Sequence, residues 1–330
     1  MPRVLVAGAA GFIGSHLVDL LLARGNEVVG VDSFTTGTPQ NIAHLESHEG
    51  FIFIEADVTQ PLAIPDRLHR IYHLACPASP IDYLQKPFET LYAGSDGTRE
   101  LLRLAERHGA RFLLASTSEV YGDPAEHPQR ETYFGNVNPI GPRSVYVESK
   151  RYAEALTMAF HRHRGVQVRI ARIFNTYGPR MRMDDGRVIP AFACQALRGE
   201  PLTVFGDGEQ TRSYCYISDM LEGLTRLMAS DCTGPCNLGN PFELSVMALA
   251  EWLISQTQSA SEFSFKPLPQ DDPRLRRPEI SLARRELGWE PKVSFGDGIK
   301  STIAWFKEEV AFEQELQERH KKEATKGRAS

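Results

Sequence analysis

Three glycines in Gly8-Ala-Ala-Gly11-Phe-Ile-Gly14 separate a short apolar run, Arg3-Val-Leu-Val-Ala7, from a segment in which Phe12, Ile13, Leu17, Leu20, Leu21 and Leu22 recur near helical period. The arrangement reads as strand, tight turn and helix. Glycines at such a junction let the backbone approach a pyrophosphate closely, with the helix N-terminus facing the phosphates. Gly25 stands where the helix should stop, and Glu27-Val-Val-Gly-Val-Asp32 reads as a second buried strand. Asp32 follows Gly14 by 18 residues, the place where a carboxylate accepts hydrogen bonds from a ribose diol. Ser33-Phe-Thr-Thr-Gly37 has no lysine or arginine to neutralise a 2′-phosphate, so NAD is expected rather than NADP. Gly8, Gly11, Phe12, Ile13, Gly14 and Asp32 are the first candidate cofactor residues. Asp57 and Val58, at the end of a third strand candidate, would meet the adenine edge, unless the aspartate is only a cap.

Further strand candidates lie at 51–55, 70–75, 111–116 and 166–172, with room for helices between them, notably at 87–107 and 144–163. Strands alternating with helices predict an α/β fold, a doubly wound parallel sheet of Rossmann type covered on both faces. Beyond about residue 175 the rhythm changes. Helical stretches at 188–198, 217–229 and 246–257 alternate with short apolar runs such as Leu202-Thr-Val-Phe205. The expected organisation is a dinucleotide-binding domain over 1–175, a smaller substrate-binding region over 176–306 and a charged tail over 307–330, the tail a solvated helix fraying into disorder.

The 330 residues carry a formal charge of −5, which gives no electrostatic footprint for nucleic acid or an anionic membrane. No run approaches the roughly 18 apolar residues of a spanning helix. The strand-like start leaves no room for a signal peptide, so a cytoplasmic protein is expected. Cys76, Cys194, Cys215, Cys232 and Cys236 form no C-x-x-C pair, and read as reduced thiols in core or incidental positions rather than a disulfide frame or metal site.

Tyr146 and Lys150 are spaced i, i+4 on a helix expected after Pro142, so both side chains leave one face. A tyrosine near pKa 10 is a poor base at neutral pH unless a neighbouring cation stabilises its phenolate, which is what Lys150 and a nicotinamide ring would do. Isolated Y-x-x-x-K matches are common; chain context gives this one its weight. The fifth strand runs into Ser116-Thr-Ser-Glu-Val-Tyr-Gly122, placing hydroxyls and a carboxylate at the carboxyl edge of the sheet, where open α/β folds bind ligands.

From the glycine loop to about residue 306 the sequence resembles the extended short-chain dehydrogenase/reductases that act on nucleotide sugars. The specific stretches are His73-Leu-Ala-Cys-Pro-Ala-Ser-Pro80, Ser116 to Pro124, Asn136-Val-Asn-Pro-Ile-Gly-Pro-Arg143, Arg172-Ile-Phe-Asn-Thr-Tyr-Gly-Pro-Arg180, Gly206-Asp-Gly-Glu-Gln-Thr-Arg212 and Asn237-Leu-Gly-Asn-Pro241. Together they are similar to the enzymes of UDP-glucuronic acid, its decarboxylases and 4-epimerases. The resemblance implies NAD as cofactor, with Ala75 beside it, and a homodimer packed through the helices at 87–107 and 144–163. It also implies Thr117 or Ser118 on the sugar 4-hydroxyl, Glu119 beside the sugar, and Tyr146 with Lys150 as the base pair. Pro80, Asn175, Val188, Arg212 and Arg277 would contact the substrate, the last as one of several arginines in Arg274-Leu-Arg-Arg277 whose bland alternative is solvation.

Three departures from the decarboxylase pattern stand out: Tyr146-Val-Glu-Ser-Lys150 where Y-D-E-G-K is usual, Ala93-Gly94-Ser95-Asp96-Gly97-Thr98 lacking the usual T-N, and arginine at 182 in Gly178-Pro-Arg-Met-Arg182. Oxidising C4 of UDP-glucuronate makes a ketone β to the C5 carboxylate, which loses carbon dioxide unless the carboxylate is held charged and in an unreactive orientation. A bidentate guanidinium could hold it so, and Arg182 is the candidate clamp. The leading expectation is therefore a UDP-glucuronate 4-epimerase forming UDP-galacturonate. The alternatives are a decarboxylase forming UDP-xylose and, from another class, a non-catalytic NAD-binding regulatory protein.

Overall fold

The computed structural model describes residues 1–326, with side chains through Lys321. Its first half runs β1 (Arg3–Ala7), α1 (Phe12–Ala23), β2 (Glu27–Asp32), β3 (Phe51–Glu55), β4 (Arg70–His73), α2 (Pro80–Gln85), α3 (Pro87–Tyr92), a π-helical turn (Ala93–Gly97), α4 (Thr98–His108), β5 (Arg111–Thr117), α5 (Ser144–Arg164) and β6 (Val168–Ile173). The second half runs β7 (Thr176–Tyr177), α6 (Val188–Arg198), β8 (Leu202–Phe205), β9 (Thr211–Ser213), β10 (Cys215–Tyr216), α7 (Ile217–Ala229), β11 (Pro235–Leu238), β12 (Glu243–Ser245), α8 (Val246–Thr257), β13 (Phe263–Lys266), β14 (Leu275–Arg276), α9 (Ser281–Leu287) and α10 (Phe295–Lys326).

Seven parallel strands form one sheet in the order β11-β6-β5-β4-β1-β2-β3. The period of two sorts their side chains. Leu5, Ala7, Val29, Val31, Ile71, Phe112 and Leu114 pack with Leu101, Leu102 and Ala105 of α4 and Ala153 of α5. Val4, Val6, Val28, Tyr72 and Leu113 turn the other way, onto Leu17, Val18 and Leu21 of α1 and Met220, Leu224 and Met228 of α7. Both faces are covered, so the strands read as near-continuous apolar runs. Each fully buried leucine contributes about 1.5–3 kcal/mol relative to exposure.

Beyond residue 175 the chain does two things. Segments α6, α8 and α10 build a second core around Phe192, Leu249, Ile299 and Phe306. Helix α7 and strand β11 return to the first sheet, where β11 pairs with β6. The seventh strand has a short, polar-flanked sequence, Gly-Pro-Cys-Asn-Leu, and burial between β6 and α9 makes it a strand where local pattern does not.

The long helix expected at 87–107 is interrupted. Proline starts both α2 and α3, and the π-helical turn with Gly94 and Gly97 joins α3 to α4. A Cβ at Gly94 would stand 2.6 Å from the Cβ of Ser149 and 2.8 Å from its carbonyl oxygen, so only glycine lets this turn press on α5. The charged tail continues α10 as helix through Lys326, with Val310 buried and Phe312 exposed; residues 327–330 of that expectation lie outside the described residues. No described helix is long and apolar enough to cross a membrane, and the described residues hold no cluster of metal-ligating side chains.

Candidate active site

The sheet order reverses between β1 and β4, and a cavity of about 300 Å³ opens there at the carboxyl edge of the strands. Its floor is the glycine loop. The Gly8 amide bonds Val31 O at 2.8 Å, and Gly8 takes φ +85°. A Cβ on Gly14 would lie 1.8 Å from Gly8 O, so turn and helix could not close with any other residue there. Helix α1 begins with no side-chain cap and no acid in its first turn, leaving its N-terminal amides to an anion.

Asp32 is buried at the end of β2, where Oδ2 accepts from Ala10 N and Oδ1 from Phe34 N, both at 2.9 Å. Burial raises its pKa, and the amides of Phe34 and Ala10 oppose the rise. The carboxylate is fixed, with lone pairs left for a diol. Asp57 caps its own turn through Thr59 N at 2.9 Å while still lining the cavity, as do Val58, Phe12, Ile13, Gly11 and Ala75. The donor set, from amides at a helix start to a ribose-facing carboxylate, fits a dinucleotide such as NAD.

Helix α5 places Tyr146 and Lys150 on the cavity wall. Lys150 Nζ donates to Ala115 O at 2.9 Å and sits 5.8 Å from the centroid of the Tyr146 ring. Tyr146 is buried, and its ring stacks on Tyr83 at 5.2 Å with an interplanar angle of 2°. Burial pushes the Tyr146 hydroxyl above its ordinary range, with Cys76 and Glu119 adding to the rise and the Thr117 hydrogen bond opposing it. A positive charge brought into the cavity would draw it back down. Thr117 ends β5 and Ser118 opens the 3₁₀ turn that follows, both on the cavity wall.

Glu119 anchors a chain of charges. Its Oε2 accepts from Arg143 Nη2 at 2.9 Å, and Arg276 Nη1 lies 3.5 Å from Oε1. Burial alone would raise this carboxyl, but Arg143, Arg276 and Arg187 outweigh it and hold the group ionised below its ordinary value. Asp272 bridges Arg143 at 3.2 Å and Arg212 at 2.8 Å. Three arginines thus face two carboxylates. Of the three arginines in this cluster, Arg276 keeps a buried Nη2 with no hydrogen-bond partner. An unpaired guanidinium hydrogen on the wall of a cavity is a standing donor for an anionic group.

Most sequence-expected residues meet here: the glycine loop, Asp32, Asp57, Val58, Ala75, Thr117, Ser118, Glu119, Tyr146, Lys150, Asn175 and Arg182 all line the cavity. Pro80, Val188, Arg212 and Arg277 do not line it. Pro80 opens α2 behind Ser79, and Val188 opens α6 behind Arg187, which does reach the wall. Arg212 supports Asp272 from below. In the basic run the cavity receives Arg276, while Arg277 joins Gln129 through its backbone. Strand β14 decides this, because it pairs Arg276 with Arg212 and period two sends alternate side chains apart. Arg143, Arg187, Arg276 and Tyr83 were not singled out by sequence; a paired, alternating reading of 274–277 was the one available signal.

Arg182 reaches the cavity with each of its three nitrogens already donating to a protein group. Nη2 donates to Asp82 Oδ1 at 2.9 Å and Oδ2 at 3.1 Å, Nε to Asp184 at 3.1 Å and Nη1 to Thr36 O at 3.2 Å. The residue expected as the clamp thus bonds protein groups on its Nε, Nη1 and Nη2 sides.

The sequence profile of the GDP-mannose 4,6 dehydratase family matches residues 5–302. UDP-glucuronic acid decarboxylase 1 of Arabidopsis thaliana is 53% identical over 313 residues, covering 95% of this chain and 72% of that protein. The Xenopus tropicalis protein of the same name is 52% identical, covering 93% and 73%. Among solved structures, the UDP-glucuronic acid 4-epimerase of Bacillus cereus with UDP-glucuronic acid and NAD superposes with a TM-score of 0.82 at 29% identity, covering 93% and 99%. With its sheet order, glycine loop and Tyr146/Lys150 pair, the chain belongs to the GDP-mannose 4,6-dehydratase family of extended short-chain dehydrogenase/reductases, and is an enzyme of nucleotide sugars.

Proposed function

We propose that the chain is an NAD-dependent UDP-glucuronic acid decarboxylase, releasing carbon dioxide and forming UDP-xylose through a 4-keto sugar. The observation that carries this reading over 4-epimerisation is the engagement of Arg182 by Asp82, Asp184 and Thr36 O, which leaves no free fork to hold a substrate carboxylate in plane. Identity points the same way, at 53% to a decarboxylase against 29% to an epimerase. The epimerase expectation gives way to its alternative.

Bound NAD supplies the hydride acceptor at C4 and later the donor. Tyr146, as phenolate beside Lys150, takes the proton of the 4-hydroxyl, with Thr117 and Ser118 as neighbouring hydrogen-bond partners. The negative substrate is drawn to the arginine excess around Glu119. At the 4-keto stage its carboxylate would stand between the spare N–H of Arg276 and the ionised Glu119. Like charge at Glu119 disfavours the carboxylate and favours its departure as carbon dioxide, leaving an enolate that takes a proton at C5. Incubation with UDP-glucuronate tests the reading: one carbon dioxide and one UDP-pentose per substrate are expected, and an isomer of unchanged mass would overturn it.

A homodimer is part of the same proposal. Leu84, Phe88, Tyr92 and Tyr152 on α2, α3 and α5 are each about half exposed or more, an apolar face of the kind a second copy covers. A monomer at micromolar concentration in sedimentation would refute it.

A further inference from the structure

Residues 33–41 follow β2 and Asp32, and Ser33, Thr35, Thr36, Gly37 and Asn41 of this segment line the cavity. Its two ends are fixed to the cofactor side. Phe34 N bonds Asp32 Oδ1, while Thr38 N and Asn41 Nδ2 both donate to Ala10 O in the glycine loop, at 3.1 and 2.9 Å. Gly37 comes so near that a Cβ there would stand 3.0 Å from Asp32 Oδ1 and from Ala10. The middle is held from elsewhere in the chain. Lys86 Nζ, between α2 and α3, donates to Thr35 O, and Arg182 Nη1 donates to Thr36 O at 3.2 Å. These donors stand 51 and 146 residues from their acceptors, so neither bond is local turn chemistry. Arg182 is itself braced by Asp82, which accepts from Ser79 Oγ.

We infer that Lys86 and Arg182 form a latch that holds residues 33–37 closed over bound NAD, keeping it as a resident group rather than a co-substrate exchanged at each turnover. The inference rests on the proposed reaction, in which the hydride taken from C4 returns to the same sugar. A cofactor that ends each cycle as it began has no need to leave. Residues 34–37 are only partly exposed, and two adjacent carbonyls that would otherwise bond water each take a cationic donor, the stronger kind of hydrogen bond. Release requires the segment to lift and both bonds to break, so the latch acts on the rate of release. It also gives a task to arginine at 182, where the sequence departs from the decarboxylase pattern, without any contact to the substrate carboxylate.

The test loads the purified full chain with radiolabelled NAD, adds excess unlabelled NAD without substrate, and follows the loss of label from the protein by rapid filtration. Lys86→Ala and Arg182→Ala should each release the label about tenfold or more faster than wild type. Arg198→Ala breaks an ion pair with Glu313 outside the cavity, and should stay within about twofold of wild type, which separates a latch from a general loss of stability. Release near the wild-type rate from either latch variant, or equal acceleration by Arg198→Ala, overturns the proposal, and Lys86→Ala decides alone if Arg182→Ala folds poorly. No substrate is present, so the result does not depend on which product forms: an isomer of unchanged mass from UDP-glucuronate would overturn the decarboxylase reading and leave the release rates standing.

Discussion

Arg182 Nη2 donates to both carboxylate oxygens of Asp82, at 2.9 and 3.1 Å, and Asp82 in turn accepts from Ser79 Oγ at 2.8 Å. The pair fastens the segment between β7 and α6 to the start of α2, and both residues line the cavity. If Arg182 is a tie, Arg182→Ala should leave the product unchanged, with carbon dioxide still released once per substrate. Leaving the mostly buried Asp82 without its cation should lower stability by about 1–2 kcal/mol, discounted for partial exposure. Product analysis and denaturant unfolding of the variant check both halves, and a switch of product would restore a catalytic role.

Tyr146→Phe keeps the ring and its stacking on Tyr83 while deleting the only ionisable oxygen. Turnover should fall by about 10²-fold or more with the fold intact. Single-turnover kinetics beside circular dichroism read this; near wild-type turnover would remove Tyr146 as base.

Neighbouring arginines should behave differently. Arg276→Ala removes a cavity-lining guanidinium with a spare donor, and transition-state binding should weaken by about 1.5–3 kcal/mol, or roughly ten- to a hundredfold in kcat/KM. Arg277→Ala, outside the cavity, should change kcat/KM by less than about threefold. Equal losses would mean that the two side chains exchange places when substrate binds.

Glu119 makes stability depend on acid. Its folded carboxyl titrates below the ordinary 4.5, so from about that pH downward the unfolded chain binds the proton first. The stabilisation is complete above the unfolded value and is lost as pH falls through the folded one. Unfolding midpoints of wild type and Glu119→Gln should therefore converge as the pH falls below the ordinary carboxyl value of 4.5. A gap that stays constant over that range would show that Glu119 is not held ionised by its arginines.

Gly94→Ala should strain α5. The added methyl meets Ser149 Cβ and the Ser149 carbonyl, one residue from Lys150, and overpacking of this kind costs about 1–3 kcal/mol. Adding Ser149→Gly removes one of the two collisions, so stability and turnover should recover in part. A double variant no better than the single one would place the strain in the backbone contact alone.

The glycine loop, Asp32, the alternating strands and helices, and the Tyr146/Lys150 spacing were legible from sequence because each is local: a turn, a strand end, one helix face. They determined the α/β sheet, the cofactor and the enzyme family. What the sequence left open depends on pairing across distance. Strand β11 exists because β6 and α9 bury it, and Arg276 rather than Arg277 enters the cavity because β14 aligns with β9. Arg182 is the sharpest case. Its position marked it as a carboxylate clamp, yet Asp82, a hundred residues earlier, takes its hydrogen bonds, because a guanidinium binds whichever carboxylate the fold brings within 3 Å.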